Sequence, residues 1–400
     1  MRTWVDGATG SHHDVDHLPY GVFVTPTAEA RLGVRIGDQV LDLGAAARTW
    51  REEWRALLDA PTLNPLMAAG PPAWAEVRSW VTTLLTDTSY AEQVVLHPLA
   101  SVGLRLAWEV GDFVDYYACE HHATNVGRIL RPDREPLLPN WRHLPVAYHG
   151  RAGSIVVSGT DVRRPCGQRK APTEDSPTFG PSRRLDLEAE LGFVVGRGRP
   201  LGTRATTDEF DDTVFGVVGV NDWSARDLQA WEYVPLGPNL AKSFATSVSA
   251  WVTPLAALEA ARVPGPTQVP TVLSYLEESG PSAYDVQVEV ELNGEVVARP
   301  PFTSMYWSAA QMLAHLTVNG ASLRVGDLYA SGTISGPDRD QRGSLLELSW
   351  GGREPFTVNG EERSFLLDGD EVTLRYTAPS TSGGRLALGE VRARILPALS

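Results

Sequence analysis

Residues 185–196, LDLEAELGFVVG, place three acids at alternate positions just before an apolar run. Side chains of a strand alternate between its two faces, so Asp186, Glu188 and Glu190 are expected on one face and Leu187, Ala189 and Leu191 on the other. Carboxylates that close repel one another and raise each other's pKa. Two readings are open: a solvated acidic face, or a face turned inward onto a positive charge. Further acids in similar settings favour the second. Asp222 ends the apolar stretch FGVVGVND (215–222), and Asp115 lies in GDFVDYYACEHHATNVG (111–127). The carboxylates of Asp115, Glu188, Glu190 and Asp222, from three elements, make an oxygen cage of the kind Ca²⁺ takes, with Mg²⁺ less demanding of protein ligands.

Around this stretch the chain is β-rich. VQVEVELNGEVVA alternates on either side of Asn293-Gly294, FTVNGEERSFLL turns at Asn359-Gly360, and FLLDGDEVTLRY turns at Asp368-Gly369, each a hairpin signal. Single helices are expected at 115–125 and 306–316, and 162–184 reads as a long irregular loop. The N-terminal part differs. RLGVRIGDQVLDL (31–43) alternates about Gly37-Asp38, and two amphipathic helices follow. One carries Trp50, Trp54, Leu57 and Leu58; the other carries Trp74, Val77, Val81, Leu84 and Leu85 behind Pro71-Pro72. The change of character near 95–110 marks a domain boundary, giving units 1–105 and 106–400. The fold class expected is mainly β, with a small N-terminal module and a large C-terminal roll or sandwich.

Composition sets limits on function. With 400 residues the chain exceeds one ordinary core. A net charge of −14 argues against nucleic acid as a partner, which needs a basic face, and fits a soluble protein. Two cysteines, Cys119 and Cys166, make no disulfide framework and fit a reducing, cytoplasmic setting. The opening MRTWVDGATGSHHDVDH has no signal-peptide apolar region, and no window approaches the roughly 18 apolar residues that span a bilayer.

Other residues have the chemistry to act. On a helix over 115–125, Asp115 and His122 are about 700° apart in rotation and roughly 10 Å along the axis, which would put an acid and a base at two ends of a substrate. His122 alone would more often be structural. In NDWSARDLQAWEYVPLGPNLAKS (221–243), Arg226, Gln229 and Tyr233 recur at helical steps, and Lys242 lies in a Pro/Gly-rich loop. Arg, Gln and Lys are donors suited to a developing oxyanion. Solvated helix charge is the plainer alternative for Arg226, and an ordinary loop lysine for Lys242. SHHDVDH (11–17) reads as a mobile polar segment near a terminus, and Cys119 as a buried hydrophobe. No G-x-S-x-G, Walker loop or G-x-G-x-x-G is present.

Taken together the chain resembles the fumarylacetoacetate hydrolase family over nearly its whole length. The resemblance runs from LPYGVF (18–23) through HATNVG, LLPNW, HLPV-x-YHGRA-x-SIVVSGT, NDWSARD, WEYVPLGP, SGTISG, LELSW and FLLDGDEV to LPALS (396–400). It implies an SH3-like N-terminal domain, a C-terminal β-roll and a homodimer. It implies a Ca²⁺ or Mg²⁺ site at Asp115, Glu188, Glu190 and Asp222, and a second cation position at Asp222, Lys242 and Thr246, with Ala245 where the family motif has Gly. It implies a base, His122, held by Glu347 of LELSW, and oxyanion donors Arg226, Gln229 and Lys242. Substrate contacts fall on Tyr117, Arg131, Tyr148, Tyr233 and Thr333. The implied reaction is hydrolysis of the carbon–carbon bond of 4-fumarylacetoacetate to fumarate and acetoacetate. The alternatives are a related diketone hydrolase of other acyl specificity, and a metal-stabilised binding protein without activity.

Overall fold

The apolar run after the acids builds the centre of the molecule. In the computed structural model, which describes residues 2–26, 28–171 and 173–399, the strand Ala189–Val195 pairs antiparallel with Val214–Asp222, Glu190 opposite Val220. All residues of both strands are buried. Leu191, Phe193, Val195, Val214 and Val217 leave the sheet toward one core. Val194, Phe215, Val218 and Val220 leave it toward another. With both faces covered, the two strands read as nearly continuous apolar runs.

The central sheet is mixed. It passes from Leu96–Pro98 through Gln39–Asp42, Ala28–Ile36, Tyr20–Thr25, Trp251–Pro254, Val214–Asp222, Ala189–Val195, Leu328–Ala330 and Phe113–Tyr116 to Ala147–His149. The protein has two domains and more strand than helix. The domains share this sheet, because Tyr20 and Gly21 pair with Val252 and Trp251. They also share a core: Leu32, Val77, Val81 and Leu84 pack in one cluster with Val194, Val218 and Val220. A second sheet, centred on Glu371–Pro379, covers the other side. It closes on the central sheet where Tyr376 donates to the Val220 carbonyl at 3.1 Å. A Cβ on Gly219 would lie 2.3 Å from the Tyr376 ring, so the approach requires glycine.

The turns at Gly37-Asp38, Asn293-Gly294 and Asn359-Gly360 join paired strands. Asn293 (φ 52°) and Gly294 (φ 84°) have the positive φ of a two-residue hairpin turn. The helix Pro71–Thr86 buries Val77, Val81, Leu84 and Leu85. Ala309–Thr317 starts later than expected because Ser308 and Gln311 form a capping box before it.

Six local expectations are corrected. Residues 115–125 are not one helix: Phe113–Tyr116 is a strand between Leu328–Ala330 and Ala147–His149, and the helix is Glu120–Leu130. The helical spacing of Asp115 and His122 therefore does not apply. The acidic strand is interrupted after Asp186, which pairs with Ser224, while Glu188 bridges to Ser344. The segment 162–184 holds Val162–Arg163, paired with the C-terminal strand, and a hairpin Cys166–Arg169/Thr178–Pro181, whose Gly167 packs on Leu228. Trp50 and Trp54 lie on separate helical pieces, because Arg51 (φ −143°, ψ 59°) breaks the helix. Leu366 pairs with Leu185 instead of forming the 368–369 hairpin. SHHDVDH is packed rather than mobile: Val15 enters the core and His17 Nε2 meets Thr253 Oγ1 at 2.9 Å. Pro172 of the expected loop, and Met1 and Ser400 of the terminal motifs, lie outside the described residues.

Candidate active site

Strands and two helices bring side chains together on a cavity of about 500 Å³, with Asp222 on an adjoining one. Asp115 comes from Phe113–Tyr116, Glu188 from just before the buried strand Ala189–Val195, Glu190 from within it, and Asp222 from the end of its neighbour. Oxygens of Asp115, Glu188 and Asp222 lie within 4.8 Å of one another, and all three residues are buried. Glu190 lines the same cavity. Among the described residues, neither Glu190 oxygen nor Oδ1 of Asp115 has a hydrogen-bond partner. Buried carboxylates are normally paired or bound to metal. Four converging carboxylates with three unpartnered oxygens fit a hard divalent cation.

Electrostatics separate these acids. Burial, then the neighbouring acids, push Asp115 and Glu190 well above the carboxylate range. Burial also acts on Glu188, but Arg226, Lys242 and His122 outweigh it and hold it low. Arg226 Nη2 donates to Glu188 Oε1 at 2.7 Å and its Nε to Asp186 Oδ2 at 2.8 Å. Lys242 Nζ binds Glu188 Oε2 and lies 3.0 Å from Asp222 Oδ2. Asp222 also accepts from Tyr148 at 2.6 Å and from Thr246 at 2.7 Å.

The second half of the site begins at the N-terminus of the helix Glu120–Leu130. His122 Nδ1 lies 2.6 Å from Glu347 Oε2. The remaining donors to Glu347 are Asn125 on Oε1 at 3.0 Å, and Ser335 (3.0 Å) and Ser344 (2.8 Å) on Oε2. Burial raises the Glu347 pKa, but His122 and these donors overcome it and lower the value. An ionised carboxylate only accepts, so the proton between them belongs to Nδ1 and Nε2 is left free. Nε2 lies 3.9 Å from Glu188 Oε1, on the cavity side. The Tyr117 ring packs edge-on to the imidazole at 5.3 Å.

Arg226 and Gln229 share the helix Arg226–Glu232, with Tyr233 at its end. Arg226 Nη1 donates to Gln229 Oε1 at 3.0 Å, which leaves the amide NH₂ of Gln229 to face a ligand. Arg131, Tyr233 and Thr333 line the same cavity. Arg131 Nε and Thr333 Oγ1 are buried without a protein partner among the described residues. Cys119 is buried, its thiol pushed up to about 11. Every residue expected at the site except Glu347, Asp222 and Thr246 lines this cavity; Glu347 stands behind His122, and Asp222 and Thr246 line an adjoining cavity of about 180 Å³ with Tyr148 and Lys242. Asp186, although in the quoted acidic run, is not among the cavity residues.

Sequence reasoning missed Asn125, Ser335, Ser344 and Asn221, whose Oδ1 accepts from the Glu188 amide at 3.0 Å. Ser344 alone carried a local signal: Ser344-Leu-Leu-Glu347 has capping-box spacing, and its hydroxyl accepts from the Glu347 amide.

Comparisons with known proteins place the chain by its sequence and fold. Residues 16–107 match the family model described as fumarylacetoacetase N-terminal, and 113–396 the one described as fumarylacetoacetate (FAA) hydrolase C-terminal. The chain is 44% identical to a fumarylacetoacetase of Caenorhabditis elegans over 100% of both chains. It is 43% identical to one of Homo sapiens over 99% of both. Among solved structures it shares its fold with a fumarylacetoacetate hydrolase of Exiguobacterium antarcticum (TM-score 0.59, 16% identity, 95% of this chain and 99% of that one). A maleylpyruvate hydrolase from Sphingobium sp. SYK-6, in complex with manganese(II) and pyruvate, is also similar (TM-score 0.53, 14% identity, 96% and 100% covered). Aligned end to end with its relatives and matched in both domains, the chain belongs to the fumarylacetoacetate hydrolase family.

Proposed function

We infer that the protein hydrolyses 4-fumarylacetoacetate to fumarate and acetoacetate, the last step of tyrosine and phenylalanine catabolism. One observation carries the reading beyond family likeness: His122, backed by Glu347, and the acids Asp115, Glu188 and Glu190 open onto one cavity, with Asp222 on the adjoining one. The chemical difficulty is the leaving group, a carbanion. Asp115, Glu188, Glu190 and Asp222 would hold Ca²⁺ or Mg²⁺, which supplies a Lewis acid for the oxygens of the leaving diketone half.

The chain's own groups supply the rest. His122 Nε2 takes a proton from water as it attacks the fumaryl carbonyl, and Glu347 stabilises the imidazolium and fixes the tautomer; collapse of the tetrahedral intermediate then breaks the carbon–carbon bond, and a proton delivered by Lys242 or a water to the departing carbon completes acetoacetate. Arg226, the Gln229 amide and Lys242 donate to the oxyanion that develops. Arg131, with Tyr117, Tyr148, Tyr233 and Thr333, receives the terminal carboxylates and carbonyls, a role supported by the unpartnered Arg131 Nε and Thr333 Oγ1. A second cation position beside Asp222, Lys242 and Thr246 is part of the reading, supported by an adjoining cavity of about 180 Å³. The Lys242 ammonium cannot ligate, so main-chain oxygens would do so there.

Family resemblance also supports an SH3-like N-terminal domain in residues 1–105, a β-roll in 106–400 and a homodimer, the last checked by light scattering, and the two free cysteines fit a cytoplasmic location. The decisive experiment incubates the protein with divalent ion and either 4-fumarylacetoacetate or acylpyruvates. Release of fumarate and acetoacetate with loss of diketone absorbance is the expected result. Turnover of acylpyruvates alone would make it a related diketone hydrolase, and no turnover a binding protein.

A further inference from the structure

Asp186 is fully buried, yet it stands outside the cavity that Glu188 and Glu190 line. Its carboxylate makes four hydrogen bonds, all from N–H groups. Oδ1 accepts from Leu187 N at 2.8 Å and Leu345 N at 2.7 Å. Oδ2 accepts from Leu346 N at 3.0 Å and Arg226 Nε at 2.8 Å. A group surrounded only by donors is matched by an ionised, acceptor-only carboxylate. Leu345 and Leu346 begin the short helix Leu345–Leu348, which carries Glu347. Arg226 begins the helix that carries Gln229, and its other nitrogens hold Gln229 Oε1 and Glu188 Oε1. One carboxylate thus ties the first turn of both helices.

Resting on the hydrolase reading above, we propose that Asp186 is a positioning residue. It fixes the distance between the His122–Glu347 base and the Arg226–Gln229 oxyanion donors, across which the water and the scissile carbonyl must fit. Asp186 touches neither substrate nor water. It acts by holding Glu347 through two main-chain amides and Arg226 through its Nε. A carboxamide of the same shape meets at least one of these N–H groups with another N–H, so one helix is released relative to the other. Orientation of the reacting groups is lost, while Arg131, Tyr117, Tyr148 and Thr333, which Asp186 does not contact, still bind the substrate.

The test is Asp186→Asn, studied as the full chain with divalent ion present. We expect kcat to fall on the order of 10²-fold, as misplacement near 1 Å does, with KM within about threefold of wild type because uniform binding survives. A second readout needs no substrate. The 2.6 Å His122–Glu347 hydrogen bond predicts a downfield imidazole Nδ1–H proton resonance, and Asp186→Asn shifts or broadens it. A purely structural acid would lower the melting temperature but leave kcat per folded molecule and that resonance unchanged, and this result overturns the proposal. If Asp186→Asn does not fold, Asp186→Glu keeps the charge but moves it by one methylene. The same kcat loss at constant KM supports the proposal, and wild-type kcat overturns it. Wild-type protein that releases no fumarate refutes the hydrolase reading instead, while the resonance still reports on Asp186.

Discussion

At the scale of single residues, the site divides four acids by their surroundings. Glu188 is neutralised by Arg226 and Lys242 and stays ionised, whereas Glu190 has no cationic partner at hydrogen-bond distance among the described residues. Glu190→Gln is therefore expected to weaken Ca²⁺ binding in calorimetry, and unchanged affinity would remove it from the ligand set. His122→Ala is expected to reduce kcat on the order of 10²–10⁴-fold, the usual share of a general base. Its metal affinity stays near wild type, since the imidazole is not among the clustered ligand groups and stands 3.9 Å from Glu188 Oε1. A variant with wild-type turnover would rule out His122 as the base. Alternation put Glu188 and Glu190 on one inward side, and both line the cavity, Glu190 from the buried strand and Glu188 from just before it. It misplaced Asp186 because periodicity says nothing of a break in the strand, and Leu187–Glu188 is such a break.

At the scale of elements, turn chemistry and two-sided burial were legible in the sequence, while the join between elements was not. Asn293-Gly294 specified its hairpin through positive φ alone. GDFVDYYACEHH hid a strand-to-helix change, since Val114, Asp115 and Tyr116 satisfy a strand only through neighbours more than thirty residues away or over two hundred. The loop of SGTISG shows the same dependence. Gly332 has φ 76°, and a Cβ there would lie 2.2 Å from the Tyr116 carbonyl. Gly332→Ala should cost at least roughly 1–2 kcal/mol from the left-handed backbone alone, measured by chemical denaturation. It should also lower turnover, because Thr333 moves with it. Unchanged stability would show that the loop relaxes freely.

At the scale of the whole molecule, the raised and lowered carboxyls predict opposite responses to pH. Asp115 and Glu190 titrate higher folded than unfolded, so without metal the native state keeps protons that the unfolded chain has released. Metal-free stability accordingly falls as pH rises from the ordinary carboxylate range through their raised values. Glu188 and Glu347 titrate lower when folded, so their contribution is present above the ordinary range and lost as pH falls through their depressed values. Ligation displaces the retained protons, so the gain in melting temperature from Ca²⁺ should grow with pH across the first window. Melting curves with Ca²⁺ and with chelator across pH check this; a gain independent of pH would contradict it.

The residues that meet in the cavity come from stretches as far apart as 115 and 333, and the sheet carrying Asp115, Tyr148 and Glu190 rests on a core shared by both domains. Harmful substitutions in distant packing would then appear first as lost activity, although no reacting group had changed. A small molecule spanning the cavity, or a generous supply of the cation, binds only the native form and would draw such weakened variants back toward it. Inherited or engineered lesions of the framework should be correctable from the site itself, whereas lesions of the base or its carboxylate partner should not.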